Sequence, residues 1–321
     1  MELSDIYQPV QDGLDRVEEN LKSVSKVEYS WLAELLGYGL KGGGKRLRPI
    51  LVMLSGKFYD YQIERLLPQA TAVELMHLAT LVHDDTIDNS SMRWGRETIN
   101  SLWGTETAVL LGDYLFAKAG QLTATTKNLR VIKRLSETLM IISSGEIAQA
   151  KGAFNPKQSH EQYMQRISSK TASLFSLSTE SGAILSDAPE EAITSLREYG
   201  HNLGVAFQVV DDVLDFTGTE EEMGKPVGSD LSQGTLTLPA MLLIERFPDD
   251  NPVKKLSLDG DNEENIKLAI EMVRNSTIIH DCYDFASQYT DKAREYLKIL
   301  PDNPSRKALD NLAEFIITRR R

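Results

Sequence analysis

The chain has 321 residues, 41% of them hydrophobic, with a formal charge of −12 and a single cysteine, Cys282. That is apolar matter enough for a sizeable core and too much for a disordered chain; the charge excludes a nucleic-acid partner held by a general positive field, and one cysteine excludes an intramolecular disulfide or a multi-cysteine zinc site. No apolar run approaches the roughly 20 residues of a membrane span, and "MELSDIYQPV" is too acidic and interrupted for a signal peptide, so a cytoplasmic location is expected.

Apolar spacing near 3.6 runs along almost the whole chain, from Ile6, Val10, Leu14, Val17 and Leu21 to Ile266, Ala269, Ile270 and Val273. It predicts helices over 4–23, 28–41, 49–58, 61–89, 104–125, 129–153, 159–184, 189–218, 234–246, 262–275, 277–299 and 305–318. Period-2 stretches bounded by turn pairs are lacking, so little sheet is expected. The breaks, such as "GKPVGSD" (224–230) and "PDDNP" (248–252), are too short for domain linkers. The expectation is one all-α domain over 1–321, a bundle of ten or more helices around a central cavity.

The first basic cluster is "GLKGGGKRLRP" (39–49). It nearly spells a P-loop, but Arg46 stands where Ser or Thr would hold Mg²⁺, and no strand precedes it. What remains is a glycine loop delivering Lys45, Arg46 and Arg48, with Pro49 at a helix start. Arg forks onto diphosphate oxygens and Lys supplies a point charge; a solvated basic loop is the bland alternative.

Further on, "LVHDDTIDNS" sets Asp84, Asp85 and Asp88 in an apolar helix, with His77 and Thr80 on the stripe of Asp84. A second copy, "LGVAFQVVDDVLDFTG", puts Gln208, Asp211, Asp212 and Asp215 at i, i+3, i+4 and i+7. Carboxylates without His or Cys companions suit hard cations, Mg²⁺ or Mn²⁺ before zinc, and Mg²⁺ shares one or two carboxylates with substrate phosphate. One such cluster reads equally well as a solvated patch; two copies in apolar helices favour metal-held diphosphate. His77 reads as a core residue or a ligand contact, and His83 as structural.

In chain order, "GGGKRLRP", "ELMHLATLVHDDTID", "MRWGRETIN", "GDYLFAKA", "SGEIAQ", "RISSKTASLF", "GVAFQVVDDVLDFTG" and "GKPVGSDLSQGTLTLP" together resemble the trans-isoprenyl diphosphate synthases, also called polyprenyl synthetases, and most closely bacterial medium- and long-chain members. The resemblance spans 42–239 and implies an Mg²⁺-dependent (Mn²⁺ possible) prenyltransferase with three ions per active site, working as a homodimer. It implies metal binding by Asp84, Asp85, Asp88, Asp211 and Asp215. Arg93, Lys170 and Lys225 would contact the allylic diphosphate. Lys45, Arg48 and His77 would bind isopentenyl diphosphate, and Thr171 and Gln208 would turn dipoles toward the developing cation. Ionisation of an allylic diphosphate (farnesyl or geranylgeranyl), attack by isopentenyl diphosphate and proton loss would follow.

Two positions depart from the family pattern: Trp94 follows Arg93 where a second arginine is common, with Arg96 a possible substitute, and Thr235 follows Gly234 where lysine is common. The resemblance also makes Ala79 and Thr80, with Met76 a turn deeper, the floor beneath the growing tail. Small residues there imply geranylgeranyl diphosphate or a longer polyprenyl product. Two other readings stand beside this one: a catalytic or regulatory subunit of a heteromeric prenyl synthase, and a class I terpene cyclase, whose usual N-D-x-x-S-x-x-x-E second site is lacking.

Overall fold

Helical periodicity from end to end gives an almost wholly helical chain. The computed structural model describes residues 3–219, 226–249, 251–259 and 263–319. In chain order the helices are α1 (Leu3–Tyr7), a 3₁₀ turn (Gln8–Val10), α2 (Gln11–Val24), α3 (Ser30–Leu40), α4 (Leu47–Gly56) and α5 (Ile63–Ile87). A two-stranded hairpin follows, β1 (Met92–Arg93) with β2 (Arg96–Glu97). Then come α6 (Ile99–Thr125), α7 (Leu129–Gly152), α8 (His160–Ile167), a π-helical turn (Ser168–Ala172), α9 (Ser173–Leu185) and α10 (Glu190–Thr217). The last are α11 (Ser229–Ser232), α12 (Leu238–Arg246), α13 (Pro252–Asp259), α14 (Glu263–Arg274), α15 (Ile278–Leu297) and α16 (Pro304–Thr318). The hairpin is the whole of the sheet content among the described residues.

The expected first helix, 4–23, is interrupted by the 3₁₀ turn at Pro9, whose ring cannot donate the ladder bond. The expected start at 104 lies inside α6, which begins at Ile99 under a Thr98 cap and breaks at Gly104, where φ is 83°. The helix expected over 159–184 is three segments, because its middle widens into the π turn. Helices α11 and α13 are too short to leave a periodic signal.

The chain divides into two compact units. One comprises Met1–Leu139, Leu174–Gly200 and Arg294–Leu312; the other comprises Met140–Ser173, His201–Ala293 and Ala313–Arg321. In the first unit, every residue of α4 is buried, as is α9 from Leu174 to Leu185. Helices apolar all round belong inside a core. They pass at backbone contact: a β-carbon at Gly182 would stand 2.2 Å from the Val52 carbonyl oxygen. Helices α5 and α6 also meet closely, since a β-carbon at Gly112 would fall 2.1 Å from His83 Nε2. That ring bonds the Val109 carbonyl at 3.0 Å and stands edge-on to Phe116, which gives His83 the structural part expected of it.

In the second unit, Ser159 and Gln162 form a reciprocal capping box at the start of α8. Arg166 reaches the Leu236 carbonyl, and Arg274 closes the end of α10 by donating to the carbonyls of Phe216 (2.7 Å) and Gly218 (3.2 Å).

Candidate active site

The three aspartates of the first motif sit at the end of α5. Asp84 and Asp85 lie in its last turn and Asp88 is its C-cap, with its N–H on the Asp84 carbonyl at 2.8 Å. This is the wrong end for acid. A helix C-terminus carries partial negative charge, and each carboxylate there is disfavoured by roughly 0.3–1 kcal/mol. No basic residue lies in the last turn to offset it. The compensating cation comes from the hairpin, where Arg93 Nε donates to Asp85 Oδ1 at 2.7 Å. Burial pushes the Asp85 carboxyl up, and Arg93 opposes that shift. The hairpin turns at Trp94 and Gly95, both with positive φ (51° and 73°), the pair of left-handed residues a tight type I′ turn needs. A bulky residue at such a position hides the turn from sequence reading.

The glycine loop meets the same region. Gly43, Gly44 and Arg46 have φ of 69°, 138° and 49°, a path open to glycine and costly for arginine. Arg46 is held by Glu18 of α2 at 2.5 Å, Glu74 of α5 at 2.8 Å and the Gly43 carbonyl at 3.1 Å. The Tyr7 hydroxyl donates to the Lys45 carbonyl. Arg48 is buried, its guanidinium 5.0 Å from the centre of the Phe175 ring. His77 keeps slight exposure, yet desolvation and the charges of Arg48, Arg93 and Arg46 hold its pKa well below the usual imidazole value. The imidazole is thus neutral at pH 7. The structure brings His77, Arg48 and Arg93 together; their shared electrostatics around one neutral ring is the clearest sign of an anion site. Trp94 packs against the loop, 3.5 Å from where a Gly42 β-carbon would lie, and Arg96 is stacked 4.2 Å above Tyr38. Of the floor residues, Ala79 and Met76 are buried and Thr80 is partly exposed, its hydroxyl on the His77 carbonyl at 2.7 Å.

The second motif lies in the last two turns of α10, again at a helix C-terminus with no basic residue in the last turn. Its aspartates have three different fates. Asp211 accepts from Arg319 at 2.6 Å, whose guanidinium also stacks on Phe207 at 3.9 Å and bonds its carbonyl. Asp212 is buried between Tyr163 and Gln208. Asp215, also buried, takes the Ser229 hydroxyl at 3.1 Å and the Asp230 N–H at 3.2 Å. The π turn carries Lys170 and Thr171: Lys170 pairs with Glu146 of α7 at 2.8 Å, and the Thr171 hydroxyl donates to Gln208 Oε1. Thr235 donates its N–H to the Asp230 carbonyl. Lys225 lies outside the described residues, as do Arg320 and Arg321.

Glu18, Glu74, Glu146 and Tyr163 were missed by sequence reading. None had a local signal, since each is separated in sequence from the group it holds. Among the described residues no three His, Cys, Asp or Glu side chains converge into a metal cage. Hard carboxylates at unfavourable helix ends fit Mg²⁺ that keeps waters and shares one or two carboxylates with phosphate, rather than a caged ion.

The polyprenyl synthetase family matches residues 29–273. The chain belongs to that family. This polyprenyl synthetase is 39% identical over 318 residues to heptaprenyl diphosphate synthase component 2 of Geobacillus stearothermophilus, covering 98% of both chains. It is 37% identical over 326 residues to solanesyl-diphosphate synthase 2 of Oryza sativa, with 99% of this chain and 80% of that one covered. Among solved structures, heptaprenyl diphosphate synthase from Staphylococcus aureus superposes with a TM-score of 0.93 at 37% identity, covering 97% and 98% of the two chains. A polyprenyl synthase from Caulobacter crescentus, complexed with calcium and isoprenyl diphosphate, gives 0.96 at 31% identity, covering 100% and 98%. This polyprenyl synthetase is thus an all-α prenyltransferase of the trans type, and no described helix is long and apolar enough to cross a membrane.

Proposed function

We propose that this prenyltransferase condenses isopentenyl diphosphate with farnesyl or geranylgeranyl diphosphate, giving geranylgeranyl diphosphate or a longer polyprenyl diphosphate. The reading is of 1–321 as one synthase domain acting as a homodimer with Mg²⁺, or Mn²⁺ in its place, three ions per site. The observation that carries it is that both acidic stripes lie at helix C-termini, an arrangement that cations favour. The small residues Ala79 and Thr80, and relatives named heptaprenyl and solanesyl diphosphate synthases, support a long product.

Asp84, Asp85, Asp88, Asp211 and Asp215 would hold the ions, with Arg93, Lys170 and Lys225 on the allylic diphosphate. Bound Mg²⁺ supplies Lewis-acid neutralisation of the departing diphosphate. The chain's own residues do the rest. Arg93 leaves Asp85, and Lys170 leaves Glu146, to donate to diphosphate oxygens. Lys45, Arg48 and neutral His77 hold isopentenyl diphosphate with its alkene toward the allylic carbon. Gln208 and Thr171 turn their dipoles toward the positive charge that grows as the C–O bond breaks. Proton loss to the departed diphosphate completes each cycle.

The test is direct. The purified chain, with Mg²⁺, labelled isopentenyl diphosphate and either starter, should yield products of geranylgeranyl length or longer by chromatography. No incorporation by the chain alone would remove the homomeric reading. It would favour the second one, a subunit of a heteromeric synthase, which the name "component 2" of a 39%-identical relative supports. A cyclic hydrocarbon product would instead reopen the cyclase reading.

A further inference from the structure

Four side chains of the second unit form one unbroken hydrogen-bonded chain. The Tyr163 hydroxyl of α8 donates to Asp212 Oδ2 at 2.8 Å, and Gln208 Nε2 donates to Asp212 Oδ1 at 2.8 Å. The Thr171 hydroxyl of the π turn donates to Gln208 Oε1 at 2.5 Å. Tyr163 is fully buried and Asp212 is 2% exposed.

The direction of this chain follows from what each group can do. Asp212 Oδ1 accepts from the Gln208 NH₂, so the carboxyl selects that end of the amide. The carbonyl end is then turned to Thr171, whose only donor goes to it. The hydroxyl lone pairs are left facing away from the chain. The bonds run in one sense from Thr171 through Gln208 to Asp212, and such a chain polarises cooperatively where the dielectric is low. Asp212 has both oxygens turned inward onto neighbouring side chains. Asp211 and Asp215 have their own separate partners, Arg319 and the start of α11.

We propose that Asp212, anchored by Tyr163, is a positioning residue: it fixes the Gln208 amide, and through it the Thr171 hydroxyl, in the orientation that stabilises the ionising substrate, and it is not a metal ligand. The proposal rests on the cation-stabilising roles of Gln208 and Thr171 given above. A core staple would hold α8 against α10 without setting the sense of the amide. A metal ligand would act on ion affinity.

A double-mutant cycle separates these roles. Turnover is measured for the wild type, Gln208→Leu, Asp212→Asn, Tyr163→Phe and the Gln208→Leu pairs with each of the last two, using Mg²⁺, isopentenyl diphosphate and geranylgeranyl diphosphate. Asp212→Asn keeps the shape but offers an NH₂ where a carboxylate oxygen stood, so the Gln208 amide reverses. Expected is a kcat loss of about 10- to 100-fold, approaching that of removing one transition-state dipole, with both KM values within about threefold of wild type. In the Gln208→Leu background Asp212→Asn should cost no more than about twofold further, the signature of two residues acting through one another. Mn²⁺ affinity, read by electron paramagnetic resonance with an unreactive thiolodiphosphate analogue of the starter, should stay near wild type, while Asp211→Ala weakens it.

Multiplicative losses in the double variant would overturn the proposal, and so would loss of Mn²⁺ binding in Asp212→Asn. Wild-type kcat in Gln208→Leu would overturn the role of Gln208 itself, a different failure from an inert Asp212→Asn. Should Asp212→Asn not fold by thermal melting, the Tyr163→Phe cycle decides on the same criterion with a smaller loss, since it removes one hydroxyl only.

Discussion

Arg46 shows how a residue can matter to a diphosphate site without facing the diphosphate. Its guanidinium is consumed by Glu18 and Glu74, and its left-handed backbone sets the path of Lys45 and Arg48 into α4. Arg46→Gln would leave Glu74, 7% exposed, with its charge uncompensated. We expect a stability loss of about 2–3 kcal/mol by urea denaturation, less than a wholly buried pair because Glu18 is well exposed, together with a raised KM for isopentenyl diphosphate. An unchanged KM would separate the clamp from the loop. His77 gives a prediction in pH. Its folded pKa is depressed by burial and by Arg48, Arg93 and Arg46, so below about pH 6.5 the unfolded chain takes up a proton that the folded chain refuses. The stability present above that pH should fall as the medium is acidified through it. His77→Gln should lose less between pH 7.5 and 5.5 than wild type in denaturation midpoints; equal losses would place the acid sensitivity elsewhere. At this scale the charged groups of both motifs were legible, because helical spacing reveals a shared face. Their partners were not, since Glu146 lies 24 residues from Lys170 and Glu74 28 from Arg46.

Helices were the most legible level, and what escaped was what bends them. The hairpin of Met92–Arg93 with Arg96–Glu97 is too short for periodicity, and its turn uses Trp94 where Asn or Asp would announce it. Nor does a stretch such as "RISSKTASLF" declare that its ladder widens at Ser168–Ala172. That π turn leans on α7 at Gly145, where an added β-carbon would stand 2.7 Å from the Ser169 β-carbon. Gly145→Ala should therefore push the turn that presents Lys170 and Thr171. A stability cost of about 1–3 kcal/mol is expected from the overpacking, and kcat should fall with it. A variant with wild-type turnover would show that the turn tolerates displacement. The C-terminal position of both acidic stripes was legible, since the helices expected over 61–89 and 189–218 end at Ile87 and Thr217. That position favours a cation beside each stripe, a part taken in the structure by Arg93 and Arg319.

For the molecule as a whole, the all-α class and the family were legible because the motifs recur in order along most of the chain. Chain length of the product depends on what lies beneath Thr80, and small residues say only that nothing blocks the tail from that helix. Ala79→Phe should shorten the product by chromatography, with a melting curve to show that the buried site accepts the ring; unchanged length in a folded variant would remove Ala79 from the floor. Sedimentation should give about twice the 35.9 kDa chain mass, while a single-chain mass without activity would fit a partner-dependent subunit. The wide turn at Ser168–Ala172 has a further consequence for how this chain can vary. Each residue of an ordinary helix advances the face by about 100°, so removing Ser168 or Ser169 would close the wide turn and swing Lys170 off the face it turns to Glu146 of α7. The length of that serine pair, more than its chemistry, is then what selection must hold fixed: related chains should exchange residues there freely and tolerate no gap.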